Sequence, residues 1–335
     1  MNHLWSYRGD IIGGNDSMDR INAEVVDISV LDNYPNFVGI SNYAAHLSYY
    51  LDIPLVSLYS NRSKHYFIYA YEHLLMRKIR WKEEGVVITS DFMSVPYSLY
   101  KDNRTILVFH DPKFIWKKWK PDGIKYRGLY MLMSSSIEHM KKVFVSKYVK
   151  NEYGLEGTVI YPFVHKSFFL KRQMPREEYG IIDAGNYQNK DVPYHESVVK
   201  NNDIKFIKLG APMNHKNVEY VRGASSDAIS NYYSTAKFLL YLNRDEGFGY
   251  PLVQAMLSEL PVVMRDITIN REVYGNSKYY DNDLIGDNFR VNRELLEDIV
   301  HDKDTLMEKR KRALEMLDPE KLIAQWKKVI EEAME

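Results

Sequence analysis

The sequence predicts an α/β protein built on open parallel sheets, in a chain long enough for two domains. Three observations carry that expectation. Ala236–Met264, AKFLLYLNRDEGFGYPLVQAMLSELPVVM, reads as a complete strand–loop–helix–strand unit, so its two strands should lie parallel through a right-handed crossover. Short apolar runs rich in β-branched residues alternate with helical patterns along most of the chain, the signature of an open parallel sheet. A chain of 335 residues with 45% apolar content suits two cores of ordinary domain size better than one.

The elements follow in order. Residues 1–23 carry no clear period, and Gly13-Gly14-Asn15-Asp16-Ser17 reads as a surface turn. Val25–Val30 is the first strand, and after a loop a helix follows Gly39, capped by Ser41 or Asn42, with Tyr43, Leu47 and Tyr50 on one face. Ile53–Tyr59, Gly85–Ser90 and Thr105–Phe109 read as further strands, with a helix over Tyr66–Trp81. A helix near Leu129–Lys141 precedes the strand Lys142–Ser146. Ser146 then caps a short helix, Lys147–Tyr153, that Gly154 ends, and Thr158–Val164 closes the first half. The charged stretch Ser167–Glu178 reads as a linker. The second half opens with the strand at Tyr179–Gly185, continues through Ile204–Leu209 and Asn217–Val221, and reaches the helix Ser225–Tyr233. Beyond Met264 come a loop over Asp266–Asn270 and a helical tail from Arg293, broken at Pro319. The resulting boundaries are residues 1–170, 171–318 and a last helix, 319–335.

Composition excludes several classes. There is no Cys, hence no disulfide, thiolate nucleophile or cysteine zinc site. The net charge is zero and no nucleic-acid partner is expected. No run of apolar residues is long enough to span a bilayer, and MNHLWSYRGD lacks the apolar segment of a signal peptide. A cytoplasmic location is expected. Residues 101–150 carry twelve Lys or Arg against four Asp or Glu. Within them Lys113–Arg127, KFIWKKWKPDGIKYR, interleaves cations with Trp116, Trp119 and Tyr126. That pattern suits a solvated face whose tryptophans pack inward, peripheral contact with an anionic membrane or, least of the three, single-stranded nucleic acid.

Chemistry concentrates in Asn243–Gly249, at the carboxyl end of the apolar run Phe238–Leu242. Ligands of open α/β sheets bind beyond the carboxyl ends of the strands. Gly247 and Gly249 remove Cβ atoms that would hold a ligand off the backbone. Pro251 fits the first turn of the helix behind them, whose N-terminus favours a phosphate. Glu246 would repel a phosphate but accept hydrogen bonds from hydroxyls. Phosphates and hydroxyls together describe a nucleotide sugar; the residues alone are equally those of a plain glycine turn.

The run E-G-F-G-Y-P-L-V-Q-A-M followed by P-V at Pro261-Val262 resembles the donor motif of the retaining glycosyltransferases of family 4. The likeness extends over roughly residues 25–330. It includes His110-Asp111 ending a strand, a lysine after a glycine strand end at Lys190, and Glu272-Val273-Tyr274-Gly275. The resemblance implies the GT-B fold, two Rossmann-like domains around a cleft, and transfer of a sugar with retention from a nucleotide-diphosphate sugar to a glycan, lipid-linked or protein acceptor. It implies no metal and no cofactor. His110 and Glu246 take the catalytic positions, while Gly39, Lys190, Gly247, Phe248, Gly249 and Gln254 take donor-binding ones. Two departures stand out: Gln254 replaces the second glutamate of the family's pair, and Asn186 stands where an arginine usually joins the lysine. They keep open a non-catalytic nucleotide-sugar binder, and another GT-B enzyme such as an epimerase is a further alternative. Asp281-Asn282-Asp283 has metal-ligand spacing, but it lies in a variable turn of the family and is not read as a metal site.

Overall fold

A computed structural model describes residues 21, 23–27, 38–57, 85–89, 104–112, 137–138, 140–170, 174–185 and 188–335. The first sheet consists of β1 (Ala23–Asp27), β2 (Leu55–Ser57), β3 (Val86–Thr89), β4 (Thr105–Phe109), β5 (Lys141–Phe144) and β6 (Thr158–Val159). They are ordered β2-β1-β3-β4-β5-β6, every pair parallel. The second consists of β7 (Tyr179–Ala184), β8 (Lys205–Gly210), β9 (Val218–Tyr220), β10 (Phe238–Tyr241) and β11 (Val262–Met264), ordered β11-β10-β7-β8-β9, again all parallel. The described chain is therefore two doubly wound sheets. In the second, the strand order reverses between β7 and β10, and such a reversal opens a crevice at the strands' carboxyl ends.

Burial explains why these segments are strands. Val86–Thr89 and Thr105–Phe109 are buried at every position, as strands covered on both faces must be, so their sequences are runs of β-branched and large apolar residues rather than alternations. Phe109, Phe144 and Tyr153 pack as an aromatic group under the first sheet, the two Phe rings stacked at 4.7 Å. The helix α1 (Val38–Leu51) buries Tyr43, Ala44 and Leu47. The helix α2 (Lys147–Tyr153) is capped as its sequence predicts: Ser146 Oγ accepts from Val149 N at 3.1 Å, and Gly154 ends it in the left-handed region at φ 62°.

Several expectations change. The described part of strand β1 covers Ala23–Asp27, and residues 28–30 of the expected strand lie outside the described residues. Helix α1 starts at Val38, so neither Ser41 nor Asn42 caps it. Lys141 belongs to β5, not to a preceding helix, and β6 is only two residues long. The helices at Tyr66–Trp81 and Leu129–Lys141 fall wholly or mostly outside the described residues, as do Gly13–Ser17 and Lys113–Arg127.

The second domain adds α3 (Val192–Lys200), α4 (Ser226–Thr235), α5 (Tyr250–Leu257), α6 (Thr268–Tyr274), α7 (Asp281–Leu284), α8 (Arg293–His301) and α9 (Lys303–Met316). Helix α6 begins inside the span read as a loop. The last helix, α10 (Pro319–Met334), buries Leu322, Trp326, Val329 and Ile330 and packs against α1, β3 and β4 of the first domain. No helix among the described residues is long and apolar enough to cross a membrane.

Arg176, in the stretch read as a linker, is an anchor. Its Nη1 donates to the carbonyls of Tyr233, Ser234 and Ala236, and its Nη2 to those of Ser258 and Glu259, at 2.6–3.4 Å. These carbonyls lie at the C-terminal ends of α4 and α5, where unpaired oxygens and the negative dipole end favour a cation. Arg176→Ala should lower unfolding free energy by about 2–4 kcal/mol in urea titration. Arg176→Lys should recover only part of the loss, because an ammonium cannot fork across two helix ends.

Candidate active site

The crevice between β7 and β10 is laced by two loops. After β7 the chain makes one 3-10 turn, Gln188–Lys190, and after β10 it runs through Asn243–Gly249 into α5. Arg244 N donates to Asn189 O at 2.7 Å, and Asn189 Nδ2 donates to Asp245 O at 3.0 Å. Across this lacing Lys190 Nζ forms an ion pair with Glu246 Oε1, and Asn243 Nδ2 donates to the same oxygen at 2.6 Å. Asp191 sits in the left-handed region at φ 45°. It receives Arg244 through Nε at 2.8 Å and Nη2 at 3.1 Å, and Arg265 through Nη2 at 2.6 Å.

His195 fixes the two loops from beneath. Its Nε2 accepts from Leu242 N at 3.3 Å, so its Nδ1 carries the proton and donates to Asp191 O at 3.2 Å. Burial lowers this imidazole to about 4, which keeps it neutral and in that tautomer at physiological pH.

The glycines of the loop have structural reasons of their own. A Cβ on Gly247 would lie 1.5 Å from the carbonyl oxygen of His110, at the end of β4. A Cβ on Gly249, at φ 87°, would lie 2.6 Å from Tyr241 OH. Gly247 O also accepts from Ser146 Oγ at 2.6 Å, so one residue of the loop touches two strand ends of the first domain. Phe248 is buried, with its ring 5.7 Å from Tyr161 and 5.9 Å from Tyr250. Glu272 on α6 reaches across the same seam and accepts from Lys147 N at 2.8 Å, Tyr148 N at 2.7 Å and Tyr161 OH at 3.1 Å.

Lys190, Glu246, Gly247, Phe248 and Gly249 are thus brought together, and His110 joins them through its backbone while its ring stands edge-on to Tyr43 at 4.4 Å. The hydroxyls of Tyr43 and Tyr250 are buried with no hydrogen-bond partner among the described residues. Gln254 is half-buried on α5, one turn beyond Tyr250. Gly39 is corrected in position: it lies in the first turn of α1, not in a turn before it. A first-turn residue has no intrahelical N–H bond to make, so the helix absorbs the glycine. Asn186 lies outside the described residues. Asp283 Oδ2 accepts from Tyr280 N at 2.9 Å and Asp281 lies 3.5 Å from Arg265, so both carboxylates of that turn have local roles.

Sequence reading missed Lys208. It lies inside an otherwise apolar strand, is 3% exposed, and donates to Ala184 O at the end of β7 and to Leu209 O at 2.5 Å. Its signal was a lysine in the middle of Phe206-Ile207-Lys208-Leu209, a position that demands a polar partner. Beside it Asp183, raised by burial, accepts from Tyr233 OH at 2.9 Å.

Residues 208–315 match the family described as glycosyl transferases group 1. Over 268 residues the chain is 25% identical to the O-antigen chain mannosyltransferase RfbU of Salmonella typhimurium, covering 70% of this chain and 72% of that protein. Among solved structures, sucrose-phosphate synthase from Thermosynechococcus elongatus superposes with a TM-score of 0.69 at 12% identity, covering 93% of this chain and 99% of that one. The pneumococcal O-GlcNAc transferase GtfA, in complex with UDP and GlcNAc, gives 0.54 at 12% identity, covering 79% of this chain and spanning only 60% of that one. The architecture is GT-B. The residues that match the glycosyl transferases group 1 family, 208–315, all lie in its second domain.

In this GT-B cleft two ammonium groups, half-buried Lys190 and buried Lys208, converge on the end of β7. Burial lowers Lys190 to about 8, against the opposing pull of Asp111, Asp183 and Asp245. Burial likewise lowers Lys208 to about 8, opposed by Asp183 and reinforced by Lys190. Folding therefore weakens the hold on these protons, and their contribution to stability rises as pH climbs from about 8 toward the ordinary lysine value of 10.5. Anion binding has the opposite sign, since it needs the ammonium. Calorimetric affinity for a nucleoside diphosphate should be flat below pH 8 and fall about tenfold by pH 9, and Lys190→Arg should flatten that profile. Separately, Gly247→Ala should force the loop off β4 and cost about 1–3 kcal/mol in urea unfolding.

Proposed function

We propose that the chain transfers a hexosyl unit from a nucleoside-diphosphate sugar to an acceptor hydroxyl, with retention at the anomeric carbon. The observation that carries this reading is the Lys190–Glu246 ion pair at the strand-order reversal of a GT-B second domain. Without donor, each side chain neutralises the other. An incoming diphosphate competes for Lys190 and frees Glu246, whose carboxylate then accepts from sugar hydroxyls. The field of Lys208 and the N-terminal amides of α5 reinforce the anionic site. Gln254 serves the ribose, as donor or acceptor. From the first domain Gly39 approaches the donor, and His110, held against Gly247, lies beside the departing phosphate.

Leaving-group stabilisation is the main catalytic term in this mechanism. Fixed cations and amides aimed at the diphosphate act in a site from which domain closure excludes water. That electrostatic machinery is protein-borne and needs neither metal nor cofactor. A relative named as a mannosyltransferase makes mannose the first sugar to test. The acceptor is a glycan, lipid-linked or protein hydroxyl. We place the reaction in the cytoplasm, with Lys113–Arg127 as the contact for an anionic membrane.

Release of free nucleotide from GDP-mannose and UDP-hexoses, with and without candidate acceptors, tests the reading. Lys190→Met should lower kcat/KM by about 100-fold or more. Glu246→Gln should lower kcat while nucleoside diphosphate affinity is kept or improved, because Lys190 loses its internal competitor. A wild-type chain that binds a nucleotide sugar but releases no nucleotide with any acceptor would favour the non-catalytic binder, the reading that Gln254 supports.

A further inference from the structure

Two buried hydroxyls at the seam between the domains have no part in the donor reading. Tyr43 lies on α1 of the first domain, and Tyr250 opens α5 of the second. The Tyr250 ring is 6.4 Å from that of His46, one turn along α1 from Tyr43, and 5.9 Å from Phe248. Burial holds both phenols above the ordinary tyrosine value, and at Tyr43 the nearness of Tyr250 adds to the rise. Both therefore keep their protons, and no described residue partners either hydroxyl.

The other polar groups on this face of α1 are satisfied. His46 Nδ1 donates to Phe163 O at 3.1 Å, and Tyr50 OH donates to Val164 O at 3.0 Å. The Tyr50 ring also stacks on Phe163 at 4.5 Å. Phe163 and Val164 belong to the connection from β6 to β7, which joins the two domains. Helix α1 is thus bound to that connection at His46 and Tyr50. Tyr43 lies about 10 Å nearer the start of the helix than Tyr50, toward the strand ends where α5 begins. A parting of the domains that pivots on the connection separates Tyr43 from Tyr250 and leaves His46 and Tyr50 bonded.

With the seam open, water bonds both hydroxyls. With it closed, each hydroxyl is either stripped of a partner or shares a water that the seam immobilises, and both outcomes cost free energy. The aromatic rings themselves favour contact, because their burial is favourable. We propose that the Tyr43–Tyr250 pair is a spring built into the seam: its rings allow closure, and its hydroxyls drive reopening when nothing else holds the domains together. The balance of the two-domain motion is then set partly outside the donor loop, and the proposal does not depend on the transferase reading.

The chain has no Cys, so Glu156→Cys and Lys216→Cys, at exposed positions of the first and second domains, give two unique sites for nitroxide labels. Double electron–electron resonance on the full chain without ligand should find a short and a long distance. Tyr43→Phe, Tyr250→Phe and the double variant keep the rings and remove the hydroxyls. The ratio of short to long should rise in each, about tenfold or more in the double variant, with the urea midpoint kept or raised. Tyr50→Phe is the control, since its hydroxyl is bonded: its midpoint should fall and its short-distance share should not grow. An unchanged ratio in the double variant, or a midpoint lowered as in Tyr50→Phe, would overturn the proposal. Titration with GDP and UDP keeps the two readings apart. A chain that binds neither nucleotide, but whose double variant closes, loses the donor site and keeps the spring.

Discussion

The contact on which the rest of the molecule depends is the backbone of Gly247 lying against the carbonyl of His110. It sets how closely the two sheets approach, because no other side chain than hydrogen fits between them. Ser146 and Phe248 then secure the same loop, one by a hydrogen bond and one by aromatic packing. With the loop pinned on the first-domain side, His195 and Asn189 pin it on the second-domain side. Lys190 and Glu246 meet because both neighbouring segments are held, not because their own attraction is strong. A partly exposed ion pair is worth little by itself.

Much of this architecture is legible in the sequence. The strands of the second domain announce themselves as apolar runs, and Ser146 with Gly154 announces a short helix, because caps and buried parallel strands are local signals. The loop Asn243–Gly249 is legible for the same reason, being one contiguous run between a strand and a helix. Its glycines, however, invite a purely ligand-centred explanation, and the His110 carbonyl that requires Gly247 is remote in sequence.

Other features escape for identifiable physical reasons. Lys208 hides in a strand whose period is that of a buried run, and only the three-dimensional end of β7 supplies its carbonyl partners. Arg176 looks like linker charge, since its five carbonyls belong to two helix ends that sequence does not bring together. Helix α6 begins without a side-chain cap, its N-cap being Ile267, so Asp266–Asn270 has the appearance of a loop. Gly39 looks like a breaker, yet a helix tolerates glycine in its first turn. Glu272 is visible as part of a motif, but its role at the N-terminus of a helix in the other domain is not.

That last role has a consequence for hydration. One carboxylate serves two backbone amides and a phenol across the seam, and all four groups are ones that water solvates well. If the domains part, water can replace each of these bonds in place, and what becomes wet at this point is polar rather than oily. Groups that exchange a protein partner for water at small net cost make a joint that can separate and re-form repeatedly without offering a sticky face to other chains. The apolar attachment of the two halves comes instead from Trp326 and its neighbours on α10 and from Phe248 beside Tyr161, so oily packing and a wettable polar joint share the work of holding them together.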